Sequence, residues 1–519
     1  MAEKDCSEKR AVFIPNSSLE ESDEATNIVL QSKAHDEALD FLKQHRDDFR
    51  VELGFDPDYI KRLKRKLDLY ILPFMLVVYM FNFLDKILLN YGNVMGLSKD
   101  LKLKGNDYSN ASSAFWFANL AAAIINIYLV QRLPTSKWLG TCLLGWSIST
   151  ACTAATQNYG GLLATRIISG AFEAVVPPAA MLLTAQYYTK SEQAARFSTW
   201  YIGVAIGQIL GGLISWAFQH VGIHASLAGW RIMFLALGLV TLIFALSILL
   251  FLPDTPMQAW FLSNEEKVAL LEHIKTNQTG VEGRRFIPKQ IGEAMCDFQI
   301  WAVFIIMVLN GSGGGVITAY SATLVKSFGY TAKQSALLLM GNGPVVLSTT
   351  LIGGIGSRYF GQRWAWIILV TIPAIIGSCL MAWPVGNKQH SALAGVFLVN
   401  AYISLTPILY QWTVSNVAGH TKRSFASAMI QAAFAVGNII GPQTFQAKDA
   451  PDYQPAKVSM VVFLSVMICL VATLALYYRN CNRTRNQRST TSDAAEDISD
   501  AKAYSGLTDK ENVDFRYTY

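Results

Sequence analysis

Twelve long apolar stretches, arranged as two sets of six around a polar segment, constrain this chain more than any other feature. Each is close to the roughly 20 residues that a helix needs to cross about 30 Å of hydrocarbon. The predicted spans are 68–90, 110–131, 137–156, 160–187, 197–219, 230–252, 299–321, 334–356, 364–384, 391–412, 425–446 and 457–478. Backbone polar groups inside a bilayer must be satisfied within the protein, so the sequence predicts an all-α membrane protein with 12 transmembrane helices in two six-helix halves.

The apolar stretches also divide the chain into segments. They predict an N-terminal tail (1–67), an N-terminal six-helix bundle (68–252), a linker (253–298), a C-terminal six-helix bundle (299–478) and a C-terminal tail (479–519). Ser263 and Glu266 have the spacing of a capping box, which predicts a short linker helix ending near Gly280. The N-terminal tail has a weakly helical part at 34–49. The C-terminal tail is rich in Ser, Thr and Asp, which predicts disorder.

The distribution of charge indicates how the chain is oriented. Charged residues make up 15% of the sequence, below the roughly 25% of soluble proteins. The net charge of +6 comes from basic residues at the ends of apolar stretches, as at 61–66 and 479–485, so it indicates a lipid bilayer and no nucleic acid. Lys and Arg are absent from the 157–159 turn and the 219–229 loop. This asymmetry predicts a multi-pass protein with both termini in the cytosol.

Four charged residues lie inside predicted spans. Asp85 and Lys86 belong to the first span, and Arg166 and Glu173 belong to the fourth. A charge at the centre of a membrane helix costs about 2.5–3.5 kcal/mol, so a chain keeps one where it lines a path or a site. Asp85 and Arg166 have similar depths in the outer half, which predicts an ion pair. Glu173 lies about 10 Å further inward on the same helix face, near the midplane, which predicts that it faces the cavity.

Two interpretations of these charges remain open. They are either structural ion pairs that lock the first helix to the fourth, or carboxylates that bind protons beside cations that bind substrate. Burial favours a neutral carboxyl group and a nearby cation favours a charged one, so an anion that occupies the cation promotes proton uptake. Other polar residues could line the second half of the cavity, although each is more often used in a helix–helix hydrogen bond. These are Asn310, Tyr320, Gln411, Asn416 and Asn438.

Glycines recur at corresponding positions of the two halves. Gly203, Gly207 and Gly211 lie along the fifth span, and Gly437 and Gly441 lie along the eleventh. This spacing lets helix backbones approach closely, and its repetition indicates an internal repeat. The glycines at 311–315 lack the strand that a dinucleotide-binding fingerprint requires. They predict instead a broken or bending seventh helix beside the cavity.

Motifs spread from the first span to the twelfth resemble those of one family. They include Phe83-Leu84-Asp85-Lys86, Gly229-Trp230-Arg231, Pro253-Asp254-Thr255-Pro256 and the stretches 415–422 and 437–445. The chain resembles the fungal allantoate permease family, in the anion:cation symporter branch of the major facilitator superfamily. The resemblance implies the major facilitator fold and import of a small organic anion, a carboxylate or ureide, with protons. It also implies a single chain in the plasma membrane.

The resemblance implies roles for the charged residues as well. Asp85 and Glu173 would carry protons, Lys86 would bind the substrate carboxylate, and Arg166 would organise them. The second span departs from the family, because Phe117-Ala118-Asn119-Leu120 and the Ala run at 121–123 replace a Gly-Tyr pair and a later Pro. The substrate therefore need not be allantoate.

One stretch resembles the cytosolic gate loop of the superfamily. Its residues are Gly354, Arg358, Gly361 and Arg363, with Ser357 where an acidic residue is usual. The seven cysteines have no metal-binding spacing and we find no nucleophile–base constellation, so we expect no metal, no cofactor and no enzyme activity. Two alternatives to import remain, a proton-driven exporter of a small metabolite and a nutrient sensor that binds without translocating.

Overall fold

The computed structural model describes residues 56–221, 227–275, 288–418, 420–450, 452–489, 508–511 and 515–519, which are mostly helical and contain no strand. The predicted helical part at 34–49 and the predicted end of the linker helix near Gly280 lie outside these residues.

The first half contains α1 (Pro57–Val94), α2 (Leu97–Asp100), α3 (Asp107–Arg132), α4 (Thr135–Thr153), α5 (Tyr159–Glu173), α6 (Val176–Tyr187), α7 (Lys190–Phe218) and α8 (Gly229–Phe251). The linker contains a 3₁₀ turn (Pro256–Gln258), α9 (Asn264–Lys275) and α10 (Pro288–Met295). The second half contains α11 (Phe298–Ser327), α12 (Ala332–Leu339), α13 (Asn342–Phe360), α14 (Arg363–Ala382), α15 (Lys388–Val399), a 3₁₀ turn (Asn400–Ser404), α16 (Leu405–Asn416), α17 (His420–Gln443), a 3₁₀ turn (Ala447–Asp449) and α18 (Gln454–Ser489).

These helices form the twelve spans that the sequence predicts. In the described part of the chain, ten helical stretches are long and apolar enough to cross a membrane, three of which combine two consecutive helices. The other two predicted spans correspond to α3 and α4, which are 26 and 19 residues long. The predicted all-α membrane fold with two six-helix halves is therefore confirmed.

Both end helices extend beyond the predicted spans on the same side of the molecule, called here the basal end; the opposite side is the distal end. α1 begins at Pro57 and has 38 residues, so it is about 57 Å long. α18 continues to Ser489. The basic clusters predicted in the two tails therefore belong to helices. Residues 508–511 and 515–519 also have defined contacts with the second half, whereas the sequence predicted a disordered tail.

Three spans are interrupted where the sequence predicted continuous helices. The fourth span breaks after Glu173, because Pro177 and Pro178 lack the N–H groups that would bind the carbonyls one turn earlier. The tenth span passes through a 3₁₀ turn for a similar reason. Pro407 leaves the Ile403 carbonyl without its helical donor, and the Tyr201 hydroxyl of α7 donates to it instead at 3.2 Å. The eighth span breaks between α12 and α13, just before Pro344.

The seventh span is a single unbroken helix, α11, so of the predicted broken or bending helix at 311–315 the break is wrong. Its glycines serve a different purpose, because α17 crosses α11 at backbone contact. A Cβ atom on Gly315 would lie 2.8 Å from the Asn438 carbonyl oxygen, and one on Gly437 would lie 2.3 Å from that of Val308. In the first half, a Cβ atom on Gly203 of α7 would lie 2.4 Å from the Leu76 carbonyl oxygen of α1. The glycine-lined crossing is thus repeated in both halves, as the sequence predicted.

The linker is fastened to the basal end of the first half. The predicted capping box is present, since the Glu266 N–H donates to Ser263 Oγ at 3.2 Å and the Ser263 N–H donates to Glu266 Oε2 at 2.9 Å. Glu266 also pairs with Lys66 of α1 at 2.7 Å. Asp254 accepts hydrogen bonds from the backbone N–H groups at the start of α4, that of Ser136 at 2.9 Å. The linker therefore holds α1 and α4 together.

Glu192, in the first turn of α7, joins three elements at the same end. Its carboxylate accepts a hydrogen bond from Lys64 of α1 at 2.6 Å, completes a capping box with Thr189, and lies 3.2 Å from the ring of His273 on α9. Burial by itself raises the pKa of this carboxyl group. The hydrogen bonds from Lys64, Thr189 and His273 outweigh burial and lower the pKa to about 2. No sequence pattern identified this residue.

Glu192→Gln is expected to lower the melting temperature at pH 7 by a few degrees. A folded-state pKa below the ordinary value near 4.5 stabilises the fold at pH values above 4.5, and this stabilisation is lost as pH falls towards 2. Its size is roughly 1–3 kcal/mol. Thermal unfolding of the purified protein should therefore show the same deficit at pH 8 and pH 6. Glu265→Gln, an exposed change on α9, is the matched control. Equal melting temperatures for Glu192→Gln and wild type at pH 7 would contradict the assignment.

Candidate functional site

The four charged residues in the spans form two separate ion pairs that face different sides of α1. Asp85 and Lys86 are consecutive, so their side chains leave the helix about 100° apart. Asp85 pairs with Arg166, and Lys86 pairs with Glu173. Because Arg166 and Glu173 both belong to α5, the two pairs join the first span to the fourth at two depths.

The Asp85–Arg166 pair lies inside the first half. Arg166 Nη1 is 3.4 Å from Asp85 Oδ2, and both side chains are 3% exposed. Thr150 of α4 donates to Asp85 Oδ1 at 2.8 Å, and the guanidinium group lies 5.7 Å from the centre of the Phe234 ring of α8. The predicted ion pair is present, and its neighbours come from α4 and α8 of the same half.

The Lys86–Glu173 pair lies at the break in the fourth span. Lys86 Nζ donates to Glu173 Oε1, and Asn82, one turn earlier on α1, donates to the same oxygen at 2.6 Å. Lys86 also donates to Asn82 Oδ1 at 2.6 Å. Glu173 is 1% exposed. Its second oxygen, Oε2, and the Ser169 hydroxyl one turn away are buried with no hydrogen-bond partner among the described residues.

Aromatic side chains of α3 border this second pair. Lys86 Nζ lies 5.6 Å from the centre of the Trp116 ring and 5.9 Å from that of Phe115, within the range of cation–π attraction. The Trp116 ring contacts Phe434 of α17 edge-on, with 5.7 Å between ring centres. The Lys86–Glu173 pair therefore lies next to the boundary between the two halves. Among the described residues, the hydrogen bonds and the ring contact given for the Asp85–Arg166 pair are with Thr150, Thr153 and Phe234 of the first half.

This arrangement can exchange one anion for another. Glu173 Oε1 is one of three oxygens that accept hydrogen bonds from the Lys86 ammonium group, the others being the side-chain and backbone oxygens of Asn82. The second carboxylate oxygen of Glu173, Oε2, has no partner among the described residues. A carboxylate ligand could therefore replace Glu173 on Lys86 without leaving the cation unpaired. Arg166 pairs with Asp85 and faces α4 and α8 of the first half, and its Nε is also buried without a hydrogen-bond partner among the described residues.

Three of the candidate residues in the second half lie within its central helices. Asn310 of α11 donates to Thr406 Oγ1 of α16 at 3.1 Å, and its Oδ1 has no partner in the described part of the chain. Asn438 of α17 donates to the Phe434 carbonyl of its own helix at 2.8 Å. Gln411 is a half-buried residue of α16. Asn310 and Asn438 thus make the helix-to-helix and within-helix hydrogen bonds that are the predicted alternative to ligand binding.

Tyr320 lies closer to the distal end. Its hydroxyl group shares a hydrogen bond with Ser109 of α3, and its ring stacks on Phe445 with 4.2 Å between ring centres. Ser109 is two helical turns from Trp116, about 10 Å along α3. Beside it, Asn90 of α1 donates to Ser321 of α11 at 2.8 Å. These contacts join the halves, and we call them the distal seal. Tyr320 thus belongs to the seal and not to the surroundings of Lys86.

Asn416 and the predicted gate loop lie at the basal end. Asn416 is the last residue of α16, and its side chain binds the backbone of Thr518. Gly354 is inside α13, which continues to Phe360, so the stretch predicted as a loop is mostly helix. Gly361 ends that helix with φ +68°, a conformation that favours glycine. Arg363 begins α14 and donates to Ser415 and Thr518. The side chain of Arg358 is outside the described part of the structure.

A cluster of carboxylates also lies at the basal end. Glu293, Asp297 and Asp509 have oxygens close enough together to hold a metal ion. The Lys422 ammonium group lies among them instead, at 2.9, 2.6 and 2.7 Å. Lys422 is fully buried, so the cluster is an internal ion-pair network. No sequence pattern predicted this network, because its members are far apart in the chain.

Other residues of the site were also missed. Asn82 could have been found, because it lies four residues before Lys86 on the same helix face. Phe115, Trp116 and Thr150 could not have been found, because aromatic residues and threonines are common in membrane spans and nothing in the sequence distinguishes these three. Their relation to the charges depends on how α3 and α4 pack against α1.

Comparison with known proteins agrees with this architecture. The sequence profile of the Major Facilitator Superfamily matches residues 75–442. The thiamine pathway transporter THI73 of Saccharomyces cerevisiae is 37% identical over 466 residues, which cover 88% of this chain and 86% of that protein. The allantoate permease of the same yeast is 33% identical over 507 residues, which cover 95% and 91%.

A solved structure gives the same fold. A bacterial homologue of the human lysosomal transporter Spinster has a TM-score of 0.59 at 16% identity, and the match covers 78% of this chain and 96% of that chain. The chain belongs to the Major Facilitator Superfamily. It is a transporter and not an enzyme, and the resemblance to the allantoate permeases is confirmed.

Proposed function

We propose that this transporter imports a small organic anion together with one proton, by alternating access. The observation that carries the proposal is the Lys86–Glu173 pair, buried at the break in the fourth span, with Glu173 Oε2 unpartnered among the described residues. The pair offers an anion-binding cation and a proton-accepting carboxylate in direct contact. It also borders the second half through Trp116.

The coupling follows from the charges. A substrate carboxylate binds Lys86 Nζ and displaces Glu173, which then lies in a region of low polarity without its counter-ion. Such surroundings favour the neutral form of a carboxyl group, so Glu173 takes up a proton at Oε1 or Oε2. The loaded site then holds a cation, an anion and a neutral acid. The empty site holds the original ion pair.

Both of these states are electrically neutral, and the half-loaded states are not. An anion without a proton leaves one negative charge, and a proton without an anion leaves one positive charge. A net charge near the middle of the membrane costs about 2.5–3.5 kcal/mol. The protein therefore changes conformation readily only when it is empty or fully loaded, and this condition makes it a symporter.

Asp85 and Arg166 have a different role in this proposal. The sequence left open whether Asp85 also carries a proton and whether Arg166 also binds substrate. Their mutual pairing, the hydrogen bond from Thr150 and their position inside the first half favour a structural pair that positions α5. A single proton accompanying a monoanion makes the cycle electroneutral.

The two ends of the protein supply the gates. We propose that the distal seal, with Tyr320, Phe445 and Asn90, is the outer gate, and that the basal end faces the cytosol of a cell whose plasma membrane holds the protein. The distribution of Lys and Arg supports this orientation. The glycine-lined crossings of α1 with α7 and of α11 with α17 support movement of each half as a unit.

The substrate class rests on the same site. Lys86 suits a carboxylate, and the neighbouring rings of Phe115 and Trp116 suit an apolar or flat portion of the same molecule. The names of two relatives, an allantoate permease and a thiamine pathway transporter, support small organic substrates. We therefore propose a carboxylate or ureide, with allantoate as one candidate.

Uptake of labelled carboxylates and ureides tests the proposal, in a transport-deficient host at pH 5 and pH 7.5. One compound is expected to enter faster at pH 5, and a protonophore is expected to abolish its accumulation. Absence of uptake with the protein present at the cell surface would overturn import. Efflux of a preloaded compound would then identify an exporter, and binding without either flux would identify a sensor.

The one-proton cycle makes a separate prediction. In proteoliposomes, uptake of a monoanion is expected to be unchanged when a valinomycin-clamped membrane potential is moved from 0 to about −100 mV. A second coupled proton would gain about 2.3 kcal/mol from that potential, enough to raise accumulation about 50-fold. A voltage response of that size would contradict the stoichiometry while leaving proton-coupled import intact.

A further inference from the structure

Two buried asparagines at the basal end of the second half bind residues 517 and 518 through their backbone. Asn416 of α16 donates to the Thr518 carbonyl at 2.9 Å and accepts from the Thr518 N–H at 2.7 Å. Asn482 of α18 does the same with Tyr517, at 2.8 and 2.9 Å. Each side-chain amide thus pairs with both polar groups of one residue. Such pairs hold an extended chain whatever its side chains are.

Other groups of the same surface bind the backbone on either side. Trp412 Nε1 donates to the Thr518 carbonyl at 3.0 Å, and the Arg363 N–H donates to the Tyr519 carbonyl at 3.0 Å. Arg485 of α18 donates to the Phe515 carbonyl. We call the surface formed by Arg363, Trp412, Asn416, Asn482 and Arg485 the basal groove. Asn416 and Trp412 are almost fully buried beneath the segment, where polar groups need partners.

Side chains add selectivity to these backbone contacts. Asp509 is fully buried, binds Lys422 Nζ at 2.7 Å and accepts from Gln299 at 2.8 Å. The Tyr517 hydroxyl group donates at 2.8 Å to Asp509 Oδ2, the oxygen that also accepts from Gln299. The Tyr517 ring stacks on Tyr478 of α18, with 5.0 Å between ring centres. A peptide with an acidic residue eight positions before a tyrosine is therefore complementary to Lys422 and to the ring of Tyr478, which flank the basal groove.

We propose that the basal groove is a peptide-binding site whose ligand is the chain's own residues 508–511 and 515–519, and that its occupation fastens the turn between α13 and α14. That turn consists of Gly361 and Gln362, and the next residue, Arg363, binds both Thr518 and Tyr519. The ligand is an extended peptide with the Asp509 and Tyr517 pattern. The proposal does not depend on which substrate the protein transports.

Hydrogen–deuterium exchange of the full-length protein in nanodiscs tests whether the segment occupies the basal groove and whether this fastens the turn between α13 and α14. Amides of 515–519 and of 361–364 are expected to exchange slowly in the wild type. In the Asn416→Ala/Asn482→Ala variant, both stretches are expected to exchange at least tenfold faster. Asn480→Ala, an exposed change on α18, is the matched control and should leave both unchanged. Exchange of 515–519 in the wild type at the rate of an unstructured peptide would overturn the proposal.

A ligand-side variant keeps the test independent of damage to the groove. Asp509→Asn/Tyr517→Ala weakens the resident segment and leaves the basal groove intact. A labelled synthetic peptide of residues 508–519 is expected to bind this variant at least tenfold more tightly than the wild type, whose groove is occupied. It should also bind at least tenfold more tightly than to Asn416→Ala/Asn482→Ala. Equal binding of the peptide to all three proteins would overturn the proposal. Binding of a scrambled peptide as tightly as the 508–519 peptide would overturn it as well.

Discussion

Glu173→Gln is expected to abolish pH-driven accumulation of the substrate while preserving exchange. Glutamine keeps an oxygen that accepts hydrogen bonds from Lys86 and Asn82, but it cannot gain or lose the proton. The variant binds the anion and returns with it, so labelled substrate exchanges across the membrane. The empty variant has an unpaired Lys86 charge, which hinders its return without substrate.

The expected loss is large. One coupled proton supports up to about 100-fold accumulation across a difference of two pH units, because each unit is worth about 1.36 kcal/mol. In proteoliposomes with that pH difference, Glu173→Gln should exchange internal for external substrate without accumulating it. Glu265→Gln on α9 is the control and should accumulate it like the wild type. Accumulation by Glu173→Gln at the wild-type level would show that another group carries the proton.

Asp85→Asn is expected to destabilise the protein strongly. It leaves the Arg166 guanidinium group buried without a counter-charge, and removing one partner of a buried pair costs about 3–5 kcal/mol. We expect a lower melting temperature in detergent and much less protein at the cell surface. Fluorescence-detected gel filtration and thermal unfolding measure both. A variant as stable as the wild type would show that Arg166 has another partner.

The double variant Asp85→Asn/Arg166→Gln separates a structural role from a proton-carrying one. Removing both charges eliminates the unpaired cation, so most of the lost stability should return. Because Glu173 and Lys86 are unchanged, uptake should still increase at low pH. A stable double variant whose uptake no longer responds to pH would instead assign a proton to Asp85, as the two-carboxylate interpretation of the sequence requires.

Much of the fold could be predicted because a membrane allows few solutions. A helix that crosses it must be long and apolar, and basic residues must lie at particular helix ends. The capping box at Ser263 and the glycines of the fifth and eleventh spans were also visible, since each has a fixed spacing. The break after Glu173 was not predicted, although Pro177 and Pro178 are evident in the sequence. Apolar length alone does not show where a span is interrupted.

The candidate site was predictable in part. A charge in an apolar span is conspicuous, so all four charged residues could be named, and similar depth was enough to predict the Asp85–Arg166 pair. The Lys86–Glu173 pair was not predicted, because depth says nothing about how far each helix is rotated about its axis. Tyr320 and Asn416 were named for their polarity. Their positions at the distal seal and in the basal groove depend on packing between distant segments.

The sequence by itself determined the membrane class, the two-half architecture, the family and the identity of the buried charges. These follow from composition, spacing and local motifs, which neighbouring residues encode. Only the tertiary structure decided which carboxylate meets which cation, which pair borders the other half, and what covers Asn416 and Lys422. Those outcomes depend on helix rotation and on contacts between residues about 80 to 100 positions apart, as between Lys86 and Glu173 or Asn416 and Thr518. A local sequence pattern does not specify these contacts, because the spacing and capping signals of each helix are compatible with more than one packing arrangement against its neighbours.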